Sequence, residues 1–300
     1  MEFVQFHPTA LKDKFILISE SARGEGGYLV TSDSKRFVDE LLPRDVVARE
    51  IYKKQLNNQE VFLDVRHLGL EKILHLMPQE YKLCLDFTLL KMDKDLIPIT
   101  PASHYTMGGI KVNKEQQTNI KYLYAVGECS SIGVHGANRL GGNSLLEIIT
   151  FGRTLVKSIN TKNIVKYKIY DELQLQENYI NNIMQNGEDD FYKVRKVLGE
   201  IMYENVGLFR NENKLEVALN FVNKQIENIN NFLVSDKSKI YNTNLKDFLE
   251  FKNSLQISKV VIKSALDRKE SRGAHYRVDF DIINKDYDKS TLYELKAENE

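Results

Sequence analysis

Apolar positions along this chain keep a mixed rhythm as far as about Lys157 and a helical one after it. MEFVQFHPTAL sets Phe3 and Phe6 around polar Gln5 before turning at Pro8, the alternation of a strand, with His7 at its end. Phe15 to Ile18 predicts a second strand, running into Ser19 and Glu20 and then a glycine loop that holds Arg23. Pro43 and Arg44 open a predicted helix with Val46, Val47 and Ile51 on its apolar side, because proline suits a first turn whose N–H groups have no helical partner. VFLDVRHL reads as a strand and LEKILHLMPQEYKLCLDF as a helix broken near Pro78. IPITPASHYTMGGIKV is an extended run that carries His104 into a Gly-Gly turn. YLYAVGE reads as a strand ending on Glu128, and LLEIITFGRTLV as a helix entered from the turn GANRLGGNS.

Beyond Lys157, Val194, Val197, Leu198, Ile201 and Met202 recur at the spacing of one helix face. Asn213 caps a predicted second helix through Leu215, Leu219, Val222, Ile226 and Ile229. Asn244 caps a third, from Leu245 through Phe248, Leu255, Val261 and Leu266. Short polar connections between them predict an antiparallel bundle. ESRGAHYRVDF is basic and irregular, and the polar stretch from Asn284 to Glu300 is expected to be loose. Punctuation agrees with this division: all five prolines fall between Pro8 and Pro101, and only four of sixteen glycines lie beyond Gly152.

Composition narrows the function classes. The 300 residues are 42% hydrophobic and 28% charged, ordinary for a soluble globular protein, and suffice for two domains. A formal charge of +0 gives no electrostatic footprint for nucleic acid. Cys84 and Cys129 are too few and too far apart for an iron–sulfur cluster or a disulfide framework. No apolar run reaches the roughly 18 residues of a membrane span, and MEFVQFHPTA lacks the basic start and apolar core of a signal peptide. A cytoplasmic chain is the expectation.

The chemistry gathers around GANRLGGNS. A glycine turn leading into a helix offers unpaired N–H groups and the positive end of the macrodipole, and Arg139 adds a fixed cation. Taken one at a time, His7, Ser19, Arg44, His104 and Arg139 have ordinary structural readings as strand-end or surface residues, and Glu20 with Arg23 reads as a surface pair. Their local sequences together say more. FVQFHPTA, LISESARGEGGYL, LPRDVVARE, SHYTMGGI and VHGANRLGGNSLLE, in this order, resemble the substrate-binding motifs of the succinate dehydrogenase, fumarate reductase and L-aspartate oxidase flavoprotein family.

That resemblance implies an FAD enzyme moving a hydride between the flavin N5 and a C4 dicarboxylate. It assigns His104 and Arg139 to one carboxylate and His7 and Ser19 to the other, with serine at a position where the family commonly has threonine. Arg44 is implied as the proton donor or acceptor, relayed through Glu20 and Arg23, and Glu128, Ser144 and Leu145 as flavin contacts. The implied fold is α/β plus all-α: a capping domain at 1–103, the C-terminal part of an FAD-binding domain at 104–157, a helical bundle at 158–268 and a basic, polar tail at 269–300. A hinge near Ile97 to Pro101 would close over substrate. NSLLE is frequent in aspartate oxidases, whereas LGEIMYENVGLFRN and RKESRGAHYR look more like the succinate and fumarate enzymes. The latter reading implies an iron–sulfur partner subunit and membrane attachment only through partners.

The family also opens with a GxGxxG turn for the FAD pyrophosphate, which does not occur in these residues. The expectation is therefore a piece resembling the last half to two-thirds of a flavoprotein, completed by a separate N-terminal FAD-binding half. The alternative is a non-catalytic remnant.

Overall fold

The computed structural model describes residues 1–159, 170–185 and 187–294. They form two compact units: Phe3–Met107 with His135–Leu140, and Met1–Glu2 with Gly108–Val134 and Gly141–Glu300. As read from the sequence, the architecture is mixed α/β followed by helices.

In the first unit the elements run β1 (Val4–Leu11), α1 (Ser21–Gly24), β2 (Tyr28–Thr31), α2 (Arg44–Leu56), β3 (Val61–Asp64), α3 (Leu70–Leu76), α4 (Pro78–Thr88) and β4 (Ile97–Thr106). The strands make one antiparallel sheet in the order β1-β4-β3-β2. Leu11, Leu29, Leu63, Ile97 and Ile99 from the strands pack with Val47 and Ile51 of α2 and with Ile73 and Cys84 of α3 and α4. Pro43 and Arg44 open α2 as expected, and the predicted helix around Pro78 is split there into α3 and α4.

The sheet is irregular where β1 meets β4. Gln5 and Phe6 face Tyr105 and Ser103, so His104 is an extra residue on β4. A second shift lies between His7 and Ala10, opposite Ala102 and Thr100, where Pro8, Thr9 and Pro101 fall. Prolines are tolerated at such a place because no ladder bond is asked of their missing N–H. Bulges re-aim side chains, and these two lie beside both histidines of interest.

Two expectations fail in this unit. Phe15 to Ile18 is not a strand: Asp13 and Phe15 have φ of 66° and 55°, the N–H groups of Lys14 and Phe15 turn back to the Leu11 carbonyl, and only Leu17 bridges to Ala10. The strand forms instead at Tyr28–Thr31. Ile97 to Pro101 is no hinge, because Ile97 and Ile99 are fully buried and this stretch pairs with both β3 and β1.

The second unit contains β5 (Ile110–Lys111) and β6 (Ser130–Ser131), a short parallel pair, then α5 (Asn143–Ile159), α6 (Tyr170–Gln185), α7 (Phe191–Asn205), α8 (Glu212–Glu227) and α9 (Thr243–Asp267). Gly109 is required at the β5–β6 approach, since a Cβ there would lie 2.4 Å from the Cys129 carbonyl oxygen. YLYAVGE is not a strand: Tyr122 sits at φ 68°, and only Tyr124 makes a bridge, to Gln117. The caps also differ from expectation. Asn211 accepts from the Lys214 N–H and Asn242 from the Leu245 N–H, each two residues before the predicted Asn213 and Asn244. Phe191 of α7 packs against Phe248 and Phe251 of α9, and Leu215, Ala218 and Val222 give α8 its buried face. Residues 160–169 and 186, within the predicted bundle, and 295–300 of the predicted tail lie outside the described residues.

The basic stretch is irregular, and the polar stretch expected to be loose is held as far as Thr291. Arg210, Arg268 and Arg277 are among the largest fully buried side chains. Arg268 bonds Glu2 (2.5 Å) and Glu270 (2.8 Å) and donates to the Lys289 carbonyl and the Thr291 hydroxyl, which ties down the segment past Asn284. Arg277 forks onto Asp279, at 2.7 Å for each bond, and Arg210 donates to the Glu2 carbonyl and to His275 Nδ1. Buried charges persist when paired as Arg268 and Arg277 are. Arg268→Ala should therefore cost ~3–5 kcal/mol, the usual loss when one partner of a buried pair is removed. Urea unfolding followed by circular dichroism measures it; a change below ~1 kcal/mol would show that the network carries little stability.

Candidate active site

The sheet unit draws distant positions of the chain into one polar cluster. β1 supplies Gln5 and His7, the bulged end of β4 supplies His104, α2 begins with Arg44 and Asp45, and the segment His135–Leu140 brings Asn138 and Arg139. Gln5 and His7 are buried, as is the rest of β1 from Gln5 to Leu11.

The His7 and His104 rings meet edge to face with centroids 5.4 Å apart. His104 Nε2 lies 3.0 Å from Arg139 Nη2. A guanidinium can only donate, so Nε2 accepts and the ring proton of neutral His104 resides on Nδ1. Burial and then the positive charges of Arg44 and Arg23, with the His104 ring beside it, push His7 down to about 3. Burial, followed by Arg139 and Arg44, also lowers His104. Both imidazoles are therefore neutral near pH 7. Arg139 lies over the Tyr105 ring at 4.4 Å, and Tyr105 Oη is 3.3 Å from His135 Nε2.

Glu20, at the start of the turn into α1, joins two arginines. One oxygen accepts from Arg23 Nη2 (3.1 Å) and the other from Arg44 Nη2. The Arg44 bond comes first among the influences that lower the Glu20 acid. Arg23 is almost wholly buried, also donates to the Glu40 carbonyl, and is itself lowered by burial. Arg23, Arg44 and Arg139 thus set three positive charges against the one of Glu20, while Asp45 is matched by Arg49 at 2.7 Å. The Nε atoms of Arg23 and Arg44 are buried without a hydrogen-bond partner. Buried donors in an excess of positive charge suit an anion with several acceptor oxygens.

Of the residues singled out from the sequence, His7, Glu20, Arg23, Arg44, His104 and Arg139 come together here. The Ser19 hydroxyl is turned to Ser21, whose N–H and Oγ lie 3.2 and 2.8 Å away. Gln5, Asp45 and Asn138 were not foreseen. Their only signal was adjacency, since each stands within two residues of a singled-out side chain. Glu128, Ser144 and Leu145 belong to the other unit. There Gly142, at φ 79°, leads into α5, whose exposed apolar residues include Leu145, Leu146 and Ile149. A helix start with an apolar first turn presents N–H groups beside apolar surface, which fits a flat ring with a polar edge.

Comparison with known proteins agrees with this chemistry. The chain matches the FAD binding domain family over residues 1–145 and the fumarate reductase flavoprotein C-terminal family over residues 195–300. The fumarate reductase flavoprotein subunit of Proteus vulgaris is 34% identical over 318 residues, covering 95% of this chain and 53% of that protein. The L-aspartate oxidase of Pyrococcus horikoshii is 40% identical over 294 residues, covering 98% of this chain and 55% of that one. A solved structure of E. coli quinol fumarate reductase superposes with a TM-score of 0.88 at 32% identity, over 96% of this chain and 55% of the other. The chain spans about half the length of the curated relatives it matches.

The neutral histidines give the protein a defined acid response. A histidine near 6.5 when unfolded and about 3 when folded leaves the unfolded chain holding more protons between those values. Stability should fall as pH drops from ~6.5 towards 3, with a slope of up to ~1.4 kcal/mol per pH unit for each such histidine. His275, also held at about 3, adds its own share. Urea unfolding at pH 7, 6 and 5 should show His7→Gln less pH-dependent than wild type; parallel profiles would mean that His7 titrates freely in the folded protein.

Proposed function

Because the chain belongs to the succinate dehydrogenase and fumarate reductase flavoprotein family of FAD-dependent oxidoreductases, we propose that it serves succinate–fumarate interconversion, with the arginine–histidine cluster holding the dicarboxylate. The observation that carries this reading is the charge pattern: Arg23 and Arg44 share the one carboxylate of Glu20, Arg139 meets only neutral acceptors in Gln5 and His104, and the Nε donors of Arg23 and Arg44 are buried and unpartnered. A dianion with two planar ends balances that excess and accepts from forked donors.

In this reading Arg139 and His104 hold one carboxylate, with the Nδ1–H of neutral His104 as a donor. His7 holds the other, and Ser19 joins it when its hydroxyl leaves Ser21. Neutral imidazoles matter because they donate without adding to the positive charge already present. FAD, when bound, supplies the hydride chemistry that side chains lack, and Glu128, Ser144 and Leu145 are the residues that would hold it. Arg44 delivers a proton to the substrate carbon in fumarate reduction and takes it back in succinate oxidation. A guanidinium, which holds its proton throughout the ordinary pH range, is a poor acid alone. Its proton must be replaced as it leaves, and Glu20, bonded to both Arg44 and Arg23, is placed to do so. Electrons would pass to an iron–sulfur partner and through it to a quinone at the membrane, in keeping with the quinol fumarate reductase likeness.

The 40% identity to an L-aspartate oxidase supports a second reading, oxidation of L-aspartate by the same cluster. Joined to a matching N-terminal FAD-binding half, the FAD-loaded protein should reduce fumarate with a reduced viologen dye; hydrogen peroxide formed from L-aspartate, without fumarate turnover, would establish the second reading instead. Within the fumarate assay, Arg44→Lys should lower kcat by ~100-fold or more, the scale of general acid catalysis, with a smaller change in KM. His104→Ala should chiefly raise KM. A near-normal kcat in Arg44→Lys, with affinity lost, would reduce Arg44 to a carboxylate clamp.

A further inference from the structure

The arginines of the cluster are oriented from behind by a chain of three polar side chains. Asp45 accepts from Arg49 Nη2 (2.7 Å) on one oxygen and from Asn138 Nδ2 (2.8 Å) on the other. Asn138 Oδ1 accepts from Gln5 Nε2 (2.8 Å), which also donates to the Arg139 carbonyl (2.7 Å). Gln5 Oε1 then accepts from Arg44 Nη1 (3.3 Å) and Arg139 Nη2 (3.1 Å).

Neither end of this chain has a choice of polarity. An ionised carboxylate only accepts, and a guanidinium only donates. Each amide between them must point its NH2 towards Asp45 and its oxygen towards the arginines. Turning Asn138 over would set oxygen against oxygen at Asp45, and turning Gln5 over would set N–H against N–H at both arginines. Gln5 is fully buried and Asp45 nearly so, which makes either mismatch costly. We infer that Asp45, Asn138 and Gln5 form a polarity relay: the carboxylate of Asp45 sets the direction of two amides and so holds the Gln5 oxygen where it gathers Arg44 and Arg139. All three are positioning residues, and the consequence for dicarboxylate binding rests on the function proposed above.

Polarity can be broken and restored without changing side-chain shape. Asp45→Asn allows its partner amide either orientation, and Asn138→Asp sets acceptor against acceptor. In the double variant the new amide at position 45 donates to the new carboxylate at position 138, which still accepts from Gln5. The Gln5 side-chain amide protons, followed by NMR on selectively labelled full-length protein without ligand, should exchange at least ~10-fold faster with solvent in each single variant and return towards wild type in the double. Succinate affinity, by calorimetry, should fall and recover in the same order. Single variants that exchange as slowly as wild type, or a double variant no slower than the singles, would overturn the relay. If Asn138→Asp does not fold, Asp45→Asn against the double decides alone. Equal succinate binding by every form would likewise overturn the relay's hold on the arginines. The expected exchange pattern in a wild type that binds no succinate would uphold the relay and overturn the dicarboxylate reading.

Discussion

Mutual repulsion among Arg23, Arg44 and Arg139 is the constraint on which the rest of the sheet unit depends. One carboxylate, Glu20, and one amide oxygen, that of Gln5, draw these charges together, and neither neutralises the excess. Burial, and then the field that remains, keeps His7 and His104 uncharged, and the Nε donors of Arg23 and Arg44 are left without acceptors. In the function proposed above, a dianion would relieve that repulsion on arrival, since the cost of assembling the charges is met during folding.

Backbone irregularity makes the cluster possible. A regular β1–β4 pair would alternate its side chains between faces, and His7 and His104 would take whatever faces their registers dictate. Two bulges break that alternation, the first by making His104 an extra residue on β4. The rings come to 5.4 Å as a result. Pro8 and Pro101, which from the sequence read simply as turn and extended-chain residues, lie at the second of these shifts.

Elements defined by local chemistry were legible in the sequence, and those defined by distant partners were not. Pro43 with Arg44, the break at Pro78 and the apolar stripe of α7 carry their own signals and appear where those signals put them. Phe15 to Ile18 and YLYAVGE are apolar enough for strands, yet Phe15 and Tyr122 adopt left-handed conformations within tight turns, which no hydrophobic pattern reveals. The caps lie two residues earlier because Asn213 and Asn244 are already inside their helices, whereas Asn211 and Asn242 stand just before the first turn, where a side-chain oxygen can accept from its free N–H groups. In the site, the ordered motifs pointed to the charged residues that converge, whereas Gln5, Asp45 and Asn138 were invisible because an amide earns its role only through the atoms it meets.

The irregular segment after α9 bears on how this protein can be cut. Asp267 ends the last long helix, and secondary structure alone would make it the natural point of truncation. Severing the chain there would strip away Arg268, His275 and Arg277, leaving the buried Glu2 carboxylate only the chain's own ammonium group and the Arg210 guanidinium only backbone carbonyls. The working boundary of the unit is thus drawn by ion pairing rather than by helix content, and lies no earlier than Thr291, whose hydroxyl accepts from Arg268.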